Sequence, residues 1–301
     1  MLKMTNILIL GKSGMLGSMV YHYFSNFTNL NVYGTVRKPD YLQGNDLLFD
    51  ANNFEQLEEN DFLDLKIDYI INCIGITKPF SKDNDPEGVK RAIAINSKFP
   101  WQLAEYASKH DIKVIQIGTD CVYSGKGGMY NEDNPHDPLD VYGKSKSLGE
   151  VFDGTALIIR CSIIGPEAKD QKSFLLEWFF SQPQGGTIGG YEHHLWNGVT
   201  TLQFAQLCEK IIESNGYDEL LKKSYVHHFT PNTIVNKYEL MNIFNEAFKK
   251  ELVINQINKP DEKVDRTLTS KYNILEKYYE KKEMKVAIGE LKIYNDNRIN
   301  R

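Results

Sequence analysis

Residues 6–17 read Asn6-Ile7-Leu8-Ile9-Leu10-Gly11-Lys12-Ser13-Gly14-Met15-Leu16-Gly17. Four consecutive apolar residues predict a short, fully buried strand. Three glycines follow at three-residue spacing, and Ser18 to Phe24 continues with a helical mix. Such a strand, turn and helix aim backbone N–H groups and the positive end of a helix at an anion. Gly11 then permits the tight turn, Gly14 the close approach of a diphosphate, and Gly17 the packing of helix on strand. The spacing is G-x-x-G-x-x-G, not the G-x-G-x-x-G fingerprint of dinucleotide-binding chains. The competing reading is a surface turn that merely uses glycine, and the place at the head of a strand–helix unit weighs against it.

Asn31 to Val36 alternates as a second strand and ends at Arg37-Lys38-Pro39. In a dinucleotide fold a basic residue at this strand end accommodates a 2′-phosphate, and an acidic one bonds a free 2′-hydroxyl. Arg37 therefore favours NADPH; a solvated strand-end charge is the alternative. Leu47 to Asp50 reads as a third strand, with Asp50 near the adenine region. Residues 53–66 are acidic and read as helix. Asp68 to Gly75 is the fourth strand, where Gly75 lets the backbone pass close to a ligand. Pro86 to His110 is a long helical run whose apolar face Asn96 interrupts. Lys113 to Gly118 is the fifth strand and ends at Thr119-Asp120-Cys121. Strands alternating with helices predict an α/β fold, a doubly wound parallel sheet covered on both faces. Ligands sit beyond the carboxyl ends of such strands. Gly11, Arg37, Asp50, Gly75 and Thr119 all lie at that end.

Residues 125–141 form a polar loop that delivers the chain to Tyr142-Gly143-Lys144-Ser145-Lys146. Leu157 to Arg160 is the next strand. Further on, Leu202 to Ile212 and Tyr238 to Phe248 read as helices, Tyr225 to Phe229 as a strand, and the Lys/Glu-rich end as a solvated helix.

With 41% hydrophobic and 25% charged residues among 301, the chain has the balance of a soluble protein with a sizeable core. A net charge of −5 points away from nucleic acid and from anionic membranes. No apolar run approaches the roughly 20 residues that span a bilayer. Cys73, Cys121, Cys161 and Cys208 lie far apart without metal-type spacing, so the reading is reduced thiols in the cytoplasm and no metal site.

Tyr142 and Lys146 are four residues apart and share one helix face. A lysine ammonium beside a phenol favours the phenolate and is expected to draw its pKa from about 10 toward neutrality. That would supply a proton donor usable at cellular pH. Thr119 can offer a hydroxyl that polarises a carbonyl.

With these residues in place the chain resembles an extended short-chain dehydrogenase/reductase, and within that superfamily the dTDP-4-dehydrorhamnose reductases. The matching features are the Gly11/Gly14/Gly17 turn, Asn72 to Gly75, Asn96, Thr119 to Gly125, Tyr142 to Lys146 with Gly149-Glu150, and Gly198-Val199-Thr200-Thr201. The resemblance implies a Rossmann domain over residues 1–160, rejoined by residues 197–230. It assigns residues 161–196 and 231–301 to a smaller mixed α/β part that binds a nucleotide sugar. It implies Thr119, Tyr142 and Lys146 as the catalytic set. It further implies cofactor contacts from Gly11, Ser13, Gly14, Met15, Leu16, Arg37, Asp50, Cys73, Gly75, Asn96, Tyr142 and Lys146. Substrate contacts would come from Thr77, Lys78, Asp120, Cys121, Trp196 and Arg266, with Asp265-Arg266 at the diphosphate or else paired on the surface. The implied activity is reduction of the C4 ketone of a nucleotide-linked 4-keto-6-deoxy sugar. NADPH is the cofactor and NADH its alternative; the sequence leaves the oligomeric state open, with a homodimer as one option.

One position departs from that pattern. Those reductases usually carry an aromatic residue where Cys121 stands, whereas a cysteine there resembles the combined epimerase-reductases. They need a second acid/base after the Gly-Pro turn, and the chain has Glu177 where a lysine is expected, with Lys172 only adjacent. Two rival readings follow: an epimerase-reductase, and a non-catalytic NADP-binding regulatory subunit. An intact Thr119, Tyr142 and Lys146 argues against the second.

Overall fold

The computed structural model describes residues 4–58, 60–168 and 172–299. Residues 1–3, 59, 169–171, 300 and 301 fall within the helix and segments expected above and lie outside the described residues. The strands are β1 (Asn6–Leu10), β2 (Asn31–Val36), β3 (Asp46–Leu48), β4 (Tyr69–Asn72), β5 (Lys113–Ile117), β6 (Leu157–Arg160), β7 (Ile163–Ile164), β8 (Thr187–Tyr191), β9 (His194–Trp196), β10 (Val199–Thr200), β11 (Val226–His228), β12 (Val235–Asn236), β13 (Val253–Ile257) and β14 (Val264–Asp265). The α-helices are α1 (Met15–Phe27), α2 (Asn60–Leu63), α3 (Pro86–Ala92), α4 (Phe99–Lys109), α5 (Val141–Leu148), α6 (Leu175–Ser181), α7 (Thr201–Glu213), α8 (Tyr217–Lys223), α9 (Lys237–Phe248) and α10 (Met284–Ile299).

The large sheet has seven strands in the order β11-β6-β5-β4-β1-β2-β3, every neighbouring pair parallel. Alternate residues of one strand serve opposite faces. Ile7 and Ile9 pack with Val20 and Phe24 of α1 and Phe204 and Ile211 of α7. Leu8 and Leu10 pack with Phe99 and Leu103 of α4. Burial on both faces explains the unbroken apolar run of β1, the mark of a doubly wound Rossmann sheet. A third core joins Phe179 of α6, Ile188 of β8, Leu240 and Phe244 of α9, and Met284, Ile288 and Leu291 of α10.

Several elements differ from the sequence reading. Residues 53–66 give only a 3₁₀ turn at Phe54–Leu57 and the single turn of α2. The third strand starts at Asp46 and stops before Asp50. The helical run from Pro86 to Lys109 is continuous but holds a π-turn at Ile93–Lys98 around Asn96. The Lys/Glu-rich end is not one solvated helix: it holds β14, a 3₁₀ turn at Ile274–Lys277 and α10. Its abundant charges mask four buried positions of α10, Met284, Ala287, Ile288 and Leu291.

Candidate active site

β1 delivers the chain to Gly11, whose φ is +80°, a left-handed conformation that glycine adopts without strain. A Cβ on Gly17 would stand 2.1 Å from the Gly11 carbonyl oxygen, so the helix can close on the turn only through glycine. α1 begins after Gly14 with no side chain capping its first N–H groups. Those free donors, the close turn and the helix dipole make a cradle that fits a diphosphate. Ser13, Met15 and Leu16 lie on it. Arg37 stands exposed just beyond β2. Lys12, which the sequence reading passed over, crosses Gly34 of β2 and pairs with Asp46 at 2.6 Å. Asp50 is tied locally, its carboxylate accepting from Asn52 N at 3.0 Å.

At the end of β5, Thr119 caps a 3₁₀ turn over Asp120–Val122. Its hydroxyl accepts from Cys121 N and donates to Asp120 Oδ1, both at 3.2 Å. Opposite, Asp140 caps α5 by accepting from Gly143 N at 2.8 Å and pairs with Lys78 at 2.7 Å. Tyr142 follows in the first turn of α5. Its phenol lies within electrostatic reach of Thr119, Cys121 and Asp120. Lys78, Asp140 and Tyr142 line a cleft of about 370 Å³ with Ser81, Lys82, Asp83 and Asn84.

The acid–base expectation needs correction. Burial, then Cys121, pushes the Tyr142 phenol up, not down; the nearby Thr119 hydroxyl only partly opposes them. Lys146 donates to the Ile117 carbonyl oxygen at 2.8 Å. Burial draws Lys146 itself down to about 8, with Glu150 opposing. A four-residue spacing places two side chains on one face but does not say which partner the longer one finds.

Asn96 sits behind the site. Its Oδ1 accepts from Ile76 N at 2.8 Å, and its Nδ2 donates to Ile76 O at 2.8 Å and Ser145 Oγ at 3.0 Å. It thus ties the loop after β4, which carries Gly75, Thr77 and Lys78, to α5. Cys73 is half-buried just past β4, its thiol pushed up by burial. Arg160 anchors the loop 125–141: its guanidinium pairs with Glu150 and donates to Tyr123 Oη, His136 Nε2 and His228 Nε2.

Residues from later in the chain approach the turn after Thr119. Trp196 is buried, and Gly198 leaves room for its indole, since a Cβ there would meet the ring at 2.2 Å. Arg266 donates to the carbonyl oxygens of Tyr123 and Ser124 and lies within electrostatic reach of Cys121. Asp265 does not pair with Arg266; its carboxylate accepts from Thr267 Oγ1 at 2.7 Å. Glu177 and Lys172 pair with each other at 2.9 Å. Lys237, also missed from sequence, opens α9 with its ammonium 5.1 Å from the Trp196 ring centre and within electrostatic reach of Asp120.

The family described as the RmlD substrate binding domain matches residues 4–285. Methionine adenosyltransferase 2 subunit beta of Bos taurus is 24% identical over 250 residues, covering 80% of this chain and 72% of that one. The dTDP-4-dehydrorhamnose reductase of Aggregatibacter actinomycetemcomitans is 29% identical over 232 residues, covering 69% of this chain and 76% of that one. The crystal structure of a dTDP-4-dehydrorhamnose reductase from Bacillus anthracis in complex with NADP superposes with a TM-score of 0.76 at 16% identity, covering 97% of this chain and 100% of that one.

Proposed function

The chain belongs to the family of the RmlD substrate binding domain, and from that premise we propose that it is an NADPH-dependent reductase of a nucleotide-linked 4-keto-6-deoxy sugar. The observation that carries this reading is the approach of the Tyr142 phenol to Thr119 and Asp120 at the carboxyl end of β5, the sheet edge that also carries the glycine cradle after β1. A nicotinamide dinucleotide supplies hydride when bound. Gly11, Ser13, Gly14, Met15 and Leu16 would hold its diphosphate, Arg37 its 2′-phosphate, and Asp50, Cys73 and Gly75 would flank it. NADH is the alternative cofactor.

In this reading Thr119 hydrogen-bonds the C4 carbonyl oxygen and fixes its position. The alkoxide that develops there takes the proton of Tyr142 Oη. A raised phenol pKa keeps that proton in place until the stronger base appears. Lys146, held by the Ile117 carbonyl, would hold the nicotinamide ribose. Asn96 positions the two walls of the cleft beside the cofactor. Thr77, Lys78, Asp120, Cys121, Trp196 and Arg266 line the substrate side. Residues 1–160 with 197–230 form the cofactor part, and 161–196 with 231–301 the substrate part. The four cysteines are free, which fits the reducing cytoplasm. A homodimer accompanies the reading, since Leu148 and Phe152 remain 68% and 67% exposed beside Trp101.

The test is NADPH oxidation against a panel of dTDP-, UDP- and GDP-linked 4-keto-6-deoxy sugars, with the product read by NMR. Turnover with a C4 alcohol as product is expected. Tight NADPH binding without turnover on any of them would instead favour the non-catalytic subunit.

A further inference from the structure

Lys237 is half-buried, and among the described residues no carboxylate comes within ion-pair distance of its ammonium. Its close neighbour is the face of the Trp196 indole, 5.1 Å away at the ring centre. The acid that reaches it electrostatically is Asp120, whose carboxylate already accepts from the Thr119 hydroxyl.

The setting compounds the charge. Lys237 is the first residue of α9, a helix of twelve residues, and a helix N-terminus disfavours cations. Two more cations, Lys78 and Arg266, act on Cys121 of the opposite wall. An ammonium is strongly hydrated, and hydroxyl groups would compensate its desolvation poorly; a full negative charge would compensate it well.

The same wall holds an unmatched donor. His193 is buried, and its Nδ1 accepts from Lys259 N at 3.1 Å, so its Nε2 carries the hydrogen. That Nε2 has no hydrogen-bond partner among the described residues. Its ring lies 4.6 Å from that of His194, which feels the charges of both Lys237 and Arg266.

We propose that Lys237 binds the phosphoryl group joined to the substrate sugar, and so makes the site select sugars carried on a nucleoside diphosphate. The proposal rests on the reductase reading above. The cofactor also carries a diphosphate, and the uncapped start of α1 serves that one. The two sources are therefore separable.

The test measures equilibrium binding of dTDP, UDP and GDP, of the matching nucleosides, and of NADPH, to the wild type, K237M and K237R. For the preferred nucleotide, K237M is expected to lose about 10- to 100-fold in affinity, the size of a charge-assisted contact. Nucleoside and NADPH affinities should hold, which also shows that the variant is folded, and K237R should keep most of the diphosphate affinity. With a turned-over keto sugar, K237M should raise KM far more than it lowers kcat. Equal affinity of K237M and wild type for the diphosphate overturns the role of Lys237 alone. Failure of the wild type to bind any of the three diphosphates overturns the reductase reading with it.

Discussion

Gly143 and Cys121 meet backbone to backbone: a Cβ on Gly143 would stand 2.2 Å from the Cys121 carbonyl oxygen. This contact seats the start of α5 on the turn that follows Thr119, and it fixes the approach of Tyr142 to Thr119. Gly143→Ala must push the two segments apart. Such overpacking costs about 1–3 kcal/mol. The expected outcome is a lower melting temperature together with a loss of turnover larger than the loss of NADPH affinity. Wild-type melting and kinetics in this variant would contradict the packing argument.

Tyr142→Phe removes the proposed proton donor and leaves the ring. Turnover should fall by roughly 10²–10⁴, the usual worth of a positioned general acid. NADPH binding and the melting temperature should stay near wild type. An unimpaired variant would remove Tyr142 from the chemistry.

Much of this site is legible in the sequence because it depends on local order. β2 is visible as alternation from Asn31 to Val36, the cradle as glycine spacing, and Thr119 as a hydroxyl at a strand end. What long-range packing decides is not legible. Position 237 nears position 120 only after β12 pairs with β9, which carries Trp196. The amide of Asn96 reads as an interruption of an apolar face until Ile76 and Ser145 come within its reach. The direction of the Tyr142 shift depends on burial, which a four-residue spacing does not encode.

Cofactor choice tests the proposed role of the second strand end. Arg37 is exposed, while the nearby Lys12 is already paired with Asp46. Arg37 has no ion pair among the described residues and can meet a 2′-phosphate, a contact of about 1.5–3 kcal/mol. Arg37→Ala should weaken NADPH by about 10-fold or more and leave NADH nearly unchanged. Equal losses for the two would reduce Arg37 to a solvated charge.

Acid should loosen the loop that carries the chain to Tyr142. Arg160 donates at 2.7 Å to His228 Nε2 and at 3.0 Å to His136 Nε2. A guanidinium only donates, so both rings must accept and stay neutral. Burial and then Arg160 pull His228 from 6.5 down to about 4, and burial lowers His136 as well. Between those values the unfolded chain binds a proton that the native state refuses. The stabilisation is therefore present above about pH 6.5 and is lost as pH falls toward 4, on the order of 2–3 kcal/mol. Melting temperatures measured from pH 7 to 4.5 should fall, and His228→Asn should flatten the profile. A flat wild-type profile would refute the neutral-acceptor assignment.

The last question is whether Cys121 exchanges the sugar's C3 and C5 protons. In its favour, the thiol lies within electrostatic reach of Tyr142, and a C4 ketone would acidify both neighbouring positions. Its environment opposes the role. Burial, then Asp120, pushes the thiol up to about 12, although Lys78 and Arg266 act the other way. At neutral pH almost none of it is thiolate, and the thiolate is the base. The partner base is also missing where relatives of the epimerase type place one: Lys172 and Glu177 neutralise each other, and Glu177 additionally accepts from the backbone of Glu167. Inverting two centres needs protons moved by two groups or on two faces, and one protonated thiol serves neither. The expected result is reduction without inversion, so any epimer the protein uses is made by another enzyme. Incubation with a nucleotide-linked 4-keto-6-deoxy-D-glucose in heavy water checks it. No deuterium should enter C3 or C5 beyond the protein-free control. Protein-dependent labelling that disappears in Cys121→Ser would make this chain an epimerase-reductase.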